Sequence, residues 1–302
     1  MVENINLPNL LIVGAAKSGT TSLHNYLNQH PNIFMTKHKE PHFLINSEIG
    51  EKRVHKAVTS LEKYKSLFEI EKTFSYKGES SVMYLAFPEF SIKNIRKHLL
   101  SEVKIIIMLR NPIERAFAGY LHNLRYNPAE NLSFEEAIEL SEDRYHQEND
   151  MTPDTRYLYV GKYYLQVKSF IDEFKENVHV IFYDDYVNDI DFCLLEVFNF
   201  LKVETILVDT SQRHMVGGWV FKNNFLRDLF IPQNNFKTIL KGLLPSKKIR
   251  KMIKQKLMNI SISEAPHLSD EMRDKLTDYY EQDILDLSIL LNRNLNHWIK
   301  RH

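Results

Sequence analysis

The sequence predicts an α/β fold with a central parallel sheet flanked by helices in three layers, closed by a helical C-terminal cap. Three observations carry this. Short aliphatic runs of the kind buried in parallel sheets recur at 9–14, 103–109 and 177–182. Stretches with helical spacing fall between them, at about 55–69, 88–99, 133–143 and 155–175. From about residue 219 onward the patterns are helical with no convincing strand, ending in a long amphipathic segment from Ser269 to about Trp298. No linker-like stretch divides the chain. Residues 1–302 therefore read as one domain, with an α/β core at 9–200 and a helical part at 219–302.

Taken in order, Asn9-Leu10-Leu11-Ile12-Val13-Gly14 is apolar and closed by glycine, as a buried strand is. A small-residue loop follows, and Thr21 to His30 then carries Leu23, Tyr26 and Leu27 on one helical stripe. Asn32 to Met35 reads as a short extended stretch. Val103 to Leu109 is the second clear strand. It leads directly into Arg110-Asn111-Pro112 and a helix to about Tyr126, with Pro112 suited to the first turn. Asn177 to Phe182 is the third.

Composition narrows the function. The 302 residues hold 39 basic and 39 acidic side chains, so no overall field favours a nucleic-acid partner. The single cysteine, Cys193, excludes an internal disulfide and any Cys-cluster metal site, and reads as a small buried hydrophobe. Met1 to Pro8 lacks the basic and apolar regions of a secretory signal, and no run approaches a membrane span; a cytoplasmic protein is the expectation. One segment is strongly basic: no acidic residue lies between Asp228 and Glu264, while Lys and Arg crowd 237–256. This reads as a solvated face of a packed helix, or as a surface that meets an anionic acceptor or a membrane.

Gly14-Ala15-Ala16-Lys17-Ser18-Gly19-Thr20-Thr21-Ser22 follows a strand and opens a helix. Backbone N–H groups there converge with the helix N-terminus on one spot and favour an anion. The hydroxyls of Ser18, Thr20, Thr21 and Ser22 add donors, and Lys17 adds a full charge. The residues also serve, more simply, to cap a helix. The Gly14-to-Gly19 spacing is P-loop-like, but a nucleotide triphosphatase places its lysine after the second glycine, where this chain has Thr20. The next strand ends in Arg110 and not in an acidic residue that would help hold magnesium. The site thus suits phosphate without a metal, and Arg110, at the carboxyl end of a parallel strand, is placed to clamp a second phosphate.

Together these motifs resemble sulfotransferases that use 3′-phosphoadenosine-5′-phosphosulfate (PAPS). Lys17-Ser18-Gly19-Thr20-Thr21-Ser22 is similar to their 5′-phosphosulfate loop, and Arg110 through Tyr120 to their 3′-phosphate motif. Lys39-Glu40-Pro41-His42-Phe43, Gly78 to Tyr84 and Gly161-Lys162-Tyr163-Tyr164 through Asp185 resemble segments of the heparan-sulfate-type and bacterial carbohydrate branch. The resemblance covers roughly 10–200 well and the terminal helix more loosely. Two departures stand out. Ala118 replaces the usual serine eight residues after the clamp arginine, a lost hydrogen bond worth about 1.5–3 kcal/mol of donor binding. The branch's Lys-Thr-Pro, a lysine grip on an anionic sugar chain, is replaced by Ser80-Ser81-Val82.

The resemblance implies PAPS as sulfuryl donor, no metal, and transfer to an acceptor hydroxyl of a glycan or glycolipid. It implies Glu40 as base and Lys17 as the cation beside the leaving group. His42 is a second candidate base, because another branch uses histidine. Glu79 would orient the acceptor or sit at a solvated strand end. The implied setting is a cytoplasmic enzyme that modifies a glycan or lipid precursor before export. Two alternatives remain: a P-loop-type phosphotransferase, and an inactive module that only binds adenosine bisphosphate.

Overall fold

The computed structural model describes residues 6–50, 53–54, 57–99, 102–147, 151–211, 217–230, 252 and 257–301. Strands β1 (Leu10–Gly14), β2 (Ile33–Met35), β3 (Tyr76–Ser80), β4 (Lys104–Leu109) and β5 (Val178–Phe182) form one parallel sheet in the order β2-β3-β1-β4-β5. Leu11, Val13, Ile105, Ile107 and Leu109 pack on one face, and Leu10, Ile12, Ile106 and Met108 on the other. All are solvent-free, as a doubly covered sheet requires.

The helices follow from the same alternation. On the second face lie α1 (Thr20–Leu27), through Leu23 and Leu27, and later α9 (Tyr183–Asn188) and α10 (Ile190–Leu201). Cys193 packs there among Leu194, Val197 and Phe198, and burial pushes its thiol up to about 11. The first face is covered by α2 (Phe43–Ile49), α3 (Leu61–Ser66), α4 (Pro88–His98), α5 (Pro112–Tyr126) and α8 (Tyr163–Phe174). Two short helices, α6 (Phe134–Glu139) and α7 (Ser141–Gln147), intervene. The C-terminal helix, Asp270–Leu290, joins this layer through Met272, Leu276 and Tyr280.

Three element readings need correction. The region after 219 is not purely helical: β6 (Trp219–Phe221) pairs antiparallel with β7 (Ile262–Glu264). Three-residue strands some forty positions apart show neither alternation nor a hairpin turn, so their pairing is tertiary. The helical stretch expected over 155–175 is helical only from Tyr163. Gly161 ends a 3-10 turn where a Cβ would come within 2.6 Å of the Tyr280 hydroxyl, and that close crossing interrupts the spiral. The terminal helix stops at Leu290, with Asn292 left-handed beyond it and only a 3-10 turn at Asn296–Trp298. The basic 237–256 stretch lies, Met252 apart, outside the described residues.

Strand β1 lies between β3 and β4, so the connections that build the sheet run to opposite sides of it. Carboxyl ends of strands at such a switch point open the crevice in which α/β sheets bind ligands. Both phosphate motifs sit there.

Candidate active site

The loop from β1 to α1 is shaped by two left-handed residues, Lys17 (φ 67°) and Gly19 (φ 91°). Glycine at 19 is also needed sterically, since a Cβ would lie 3.3 Å from the Tyr183 ring. No side chain caps α1 at Gly19, which leaves the first amides of the helix to an incoming anion. Thr20, Thr21 and Ser22 line the same cleft, whose volume is about 940 Å³. Ser18 does not. Its hydroxyl is fully buried beneath the loop beside Tyr163, with no hydrogen-bond partner of good geometry, so the expectation that it donates to phosphate is corrected. Between two left-handed neighbours its side chain turns into the core while that of Lys17 turns out.

Lys17 reaches along α5, its Nζ 3.3 Å from Nδ1 of His122. An ammonium only donates, so this ring nitrogen is the unprotonated one. Burial, then the Arg125 guanidinium, bring Lys17 down to about 8; the Asp154 and Glu40 carboxylates oppose the shift. Burial and the two cations press His122 to about 3, which keeps it neutral.

Arg110 leaves β4 just before α5. Asn111 fixes that start by accepting from Ile113 N at 2.9 Å, while its amide donates to the Trp298 carbonyl of the C-terminal tail. The Arg110 guanidinium donates to the Lys17 carbonyl at 3.4 Å and lies 5.0 Å over the Tyr183 ring. Its nearest carboxylate, Glu114, is 3.8 Å away. Ala118 stands one helical stripe further along the same wall.

Glu40 is carried by the segment after β2. Its backbone N–H donates to the Ser80 carbonyl at 2.9 Å, and both Glu40 and His42 adopt positive φ (62° and 50°). Neutral His24 braces this corner, donating from Nε2 to the Thr36 carbonyl and accepting at Nδ1 from Ser80; burial holds it at about 4. Lys39 Nζ donates to Glu40 Oε1 at 2.6 Å, and His42 Nε2 lies 3.4 Å from Oε2. Burial favours the protonated acid, but the His42 contact and Lys39 together outweigh it and hold Glu40 well below the usual carboxylate range. The side chain nevertheless keeps 38% of its surface open to the cleft. His42 is thus a partner of Glu40, and its Nδ1 is buried without a partner.

Glu79 is neither solvated nor exposed to the cleft. It lies within β3, fully buried, accepting from Tyr64 (2.9 Å), Tyr84 (2.7 Å) and Ser81 (2.7 Å). Ser81 Oγ in turn accepts from the His42 N–H at 3.1 Å. The role the structure gives Glu79 is to anchor the corner that carries Glu40 and His42.

Four cleft residues went unread in the sequence. His122 and Arg125 follow Ala118 at i+4 and i+7 on α5, so a wheel begun at Pro112 would have found both. Tyr183 follows the carboxyl end of β5, a strand the sequence shows, so its place at the ligand rim was open to inference, whereas Asp154 comes from a distant segment with no local signal. Among the described residues, no group of three or more His, Cys, Asp or Glu side chains is placed to hold a metal ion.

An α/β domain that sets an uncapped helix N-terminus, a lysine and an arginine around one crevice belongs to the class of folds built to bind phosphate-bearing ligands there. Residues 7–288 match the family model described as the sulfotransferase domain, and the chain belongs to that family. The crystal structure of a sulfotransferase from Alicyclobacillus acidocaldarius superimposes with a TM-score of 0.74 at 29% identity, covering 97% of this chain and 99% of that one. Carbohydrate sulfotransferase 15 of Rattus norvegicus is 23% identical over 293 residues, covering 76% of this chain and 52% of the relative. Bifunctional heparan sulfate N-deacetylase/N-sulfotransferase 1 of Caenorhabditis elegans is 32% identical over 121 residues, covering 40% and 13%. The chain spans about half the length of the carbohydrate sulfotransferase 15 it matches.

Proposed function

We propose that this protein transfers a sulfuryl group from PAPS to a hydroxyl of a carbohydrate or glycolipid acceptor. The observation that carries the reading is one cleft in which Lys17 and Arg110 flank the uncapped start of α1 while the Glu40 carboxylate remains open beside them. These residues fit the donor. The α1 amides with Thr20, Thr21 and Ser22 would hold its 5′-phosphosulfate, and Arg110 its 3′-phosphate. Tyr183, flush against Gly19 and under Arg110, closes the wall between them. The bound donor supplies an activated sulfonate on a phosphate leaving group.

The protein's part is then electrostatic and prototropic. Lys17 offers a desolvated ammonium where charge grows on the leaving oxygen, and burial makes that charge count for more than it would in water. Glu40, ionised throughout the neutral range, takes the acceptor proton, with Lys39 and His42 fixing its two oxygens. The relatives named carbohydrate and heparan sulfate sulfotransferases support a glycan acceptor.

Calorimetric titration with adenosine 3′,5′-bisphosphate, with and without magnesium, tests the donor assignment on wild type and Arg110→Ala. Metal-independent binding that weakens at least tenfold in the variant supports it. ATP binding that requires magnesium would return the loop to the phosphotransferase alternative. Tight bisphosphate binding without transfer of radiolabelled sulfate to any glycan would favour the inactive binding module.

A further inference from the structure

Arg125 is a buried charge in the cleft to which the donor site as described gives no role. It is 5% exposed, sits in the last turn of α5 and lines the cleft, yet no carboxylate within ion-pair distance faces it among the described residues. Its single protein acceptor there is the Leu121 carbonyl, which takes Nε at 2.9 Å. Among the described residues no hydrogen bond is made by either terminal nitrogen, and both are open to a ligand. The guanidinium lies 5.1 Å from the Trp219 ring and 5.7 Å from that of Tyr126, and the two rings meet edge to face at 6.3 Å. A buried, uncompensated guanidinium is costly to keep and is normally matched by an anion.

Its position says which anion. Helix α5 runs from the Arg110 end of the cleft past His122, which holds Lys17, to Arg125; at about 1.5 Å per residue the span from Pro112 is roughly 20 Å. The donor's two phosphates are met at the Arg110 end and at the α1 N-terminus. Arg125 lies beyond Lys17, where β6 brings Trp219 over the helix and Gly217 and Gly218 line the cleft without side chains. A planar cation set beside a pair of aromatic rings suits a sugar ring that bears an oxyanion.

We infer that Arg125 is an acceptor-recognition residue, and that the acceptor carries a carboxylate or sulfate on or next to the sugar that receives the sulfuryl group. This rests on the sulfotransferase reading of the cleft. It also supplies, from α5 and β6, the cationic grip that Ser80-Ser81-Val82 does not.

The test measures p-nitrophenyl β-glucuronide against p-nitrophenyl β-glucoside, bound to protein saturated with adenosine 3′,5′-bisphosphate and to unloaded protein. Wild type should hold the glucuronide at least tenfold tighter. Arg125→Gln should bring the ratio to near one, and Arg125→Lys, which keeps charge but not the planar fit, should lower it at least threefold. Equal affinities in wild type, or a ratio that survives both substitutions, would overturn the inference. A parallel loss of bisphosphate affinity in both variants would also overturn it, by assigning Arg125 to the donor. If wild type fails to bind the bisphosphate, the donor reading falls. The glucuronide ratio on unloaded protein still decides the role of Arg125. Should Arg125→Gln not fold, Arg125→Lys and the salt dependence of glucuronide binding decide it instead, the affinity falling as salt rises only if a cation recognises the carboxylate.

Discussion

The two ends of the cleft are built differently. At the donor end, one strand-loop-helix passage, Gly14 to Ser22, supplies the amides, the hydroxyls and the lysine, and one strand end supplies Arg110. At the far end Arg125 and Asp154 arrive from a helix and a 3-10 turn, and Trp219 of a two-stranded sheet packs on Arg125 from behind; the three are widely separated in sequence. The first end depends on local backbone geometry and the second on tertiary packing. An anion site made by a helix N-terminus can be rigid before the rest of the domain docks. A site whose arginine is packed by β6 needs that distant segment in place.

The largest effect should come from the point where the two ends meet. Lys17→Ala removes the cation at the leaving group and should lower kcat by about 10²–10³-fold, the range for deleting one buried electrostatic stabiliser. Single-turnover transfer of radiolabelled sulfate checks it. The same residue sets the alkaline limb. Lys17 acts protonated, so the rate should hold below about pH 8 and decline as pH rises through that value. If the limb stays in Lys17→Arg, another group causes it. Glu40→Gln comes next, at about 10²-fold or more in kcat with bisphosphate affinity little changed, because the carboxylate contributes proton transfer and not donor binding. Since Lys39 and His42 hold Glu40 low, no acid limb should appear near the ordinary carboxylate range.

That division also explains what could be read in advance. The sheet was legible because β1 and β4 are built on aliphatic runs and β5 is apolar apart from His179, and the loop because Lys17 and Gly19 sit at fixed offsets from the end of β1. Glu40 was found with Lys39 and His42 as cations that would keep it ionised, but the backbone that sets them on its two oxygens was not legible, since it depends on two positive φ angles and on Ser80 and Ser81. Glu79 was misplaced because a glutamate at a strand end reads as solvated. Only the fold shows Tyr64, Tyr84 and Ser81 converging on it. Asp154 in the cleft and Trp219 against Arg125 were invisible because nothing in their own neighbourhoods marks them.

Two smaller substitutions sharpen the donor end. Ala118→Ser, on the cleft wall between Arg110 and His122, restores a donor and should tighten bisphosphate binding by about tenfold, the lower part of what one hydrogen bond to a charged group contributes. An unchanged affinity would mean that the 3′-phosphate does not reach this turn of α5. The smallest effect distinguishes side chain from backbone within the loop itself. Ser18 contributes a buried hydroxyl beside Tyr163 and nothing to the cleft surface, whereas Thr21 and Ser22 face the cleft. Ser18→Ala should leave bisphosphate affinity within about twofold and change stability by less than about 1 kcal/mol, since the lost hydroxyl has no well-formed partner to leave unsatisfied. Thr21→Ala and Ser22→Ala, measured by the same calorimetry, should each weaken binding more than that. A loss at Ser18 as large as at Thr21 would mean that the loop rotates on binding and presents the hydroxyl to the phosphate.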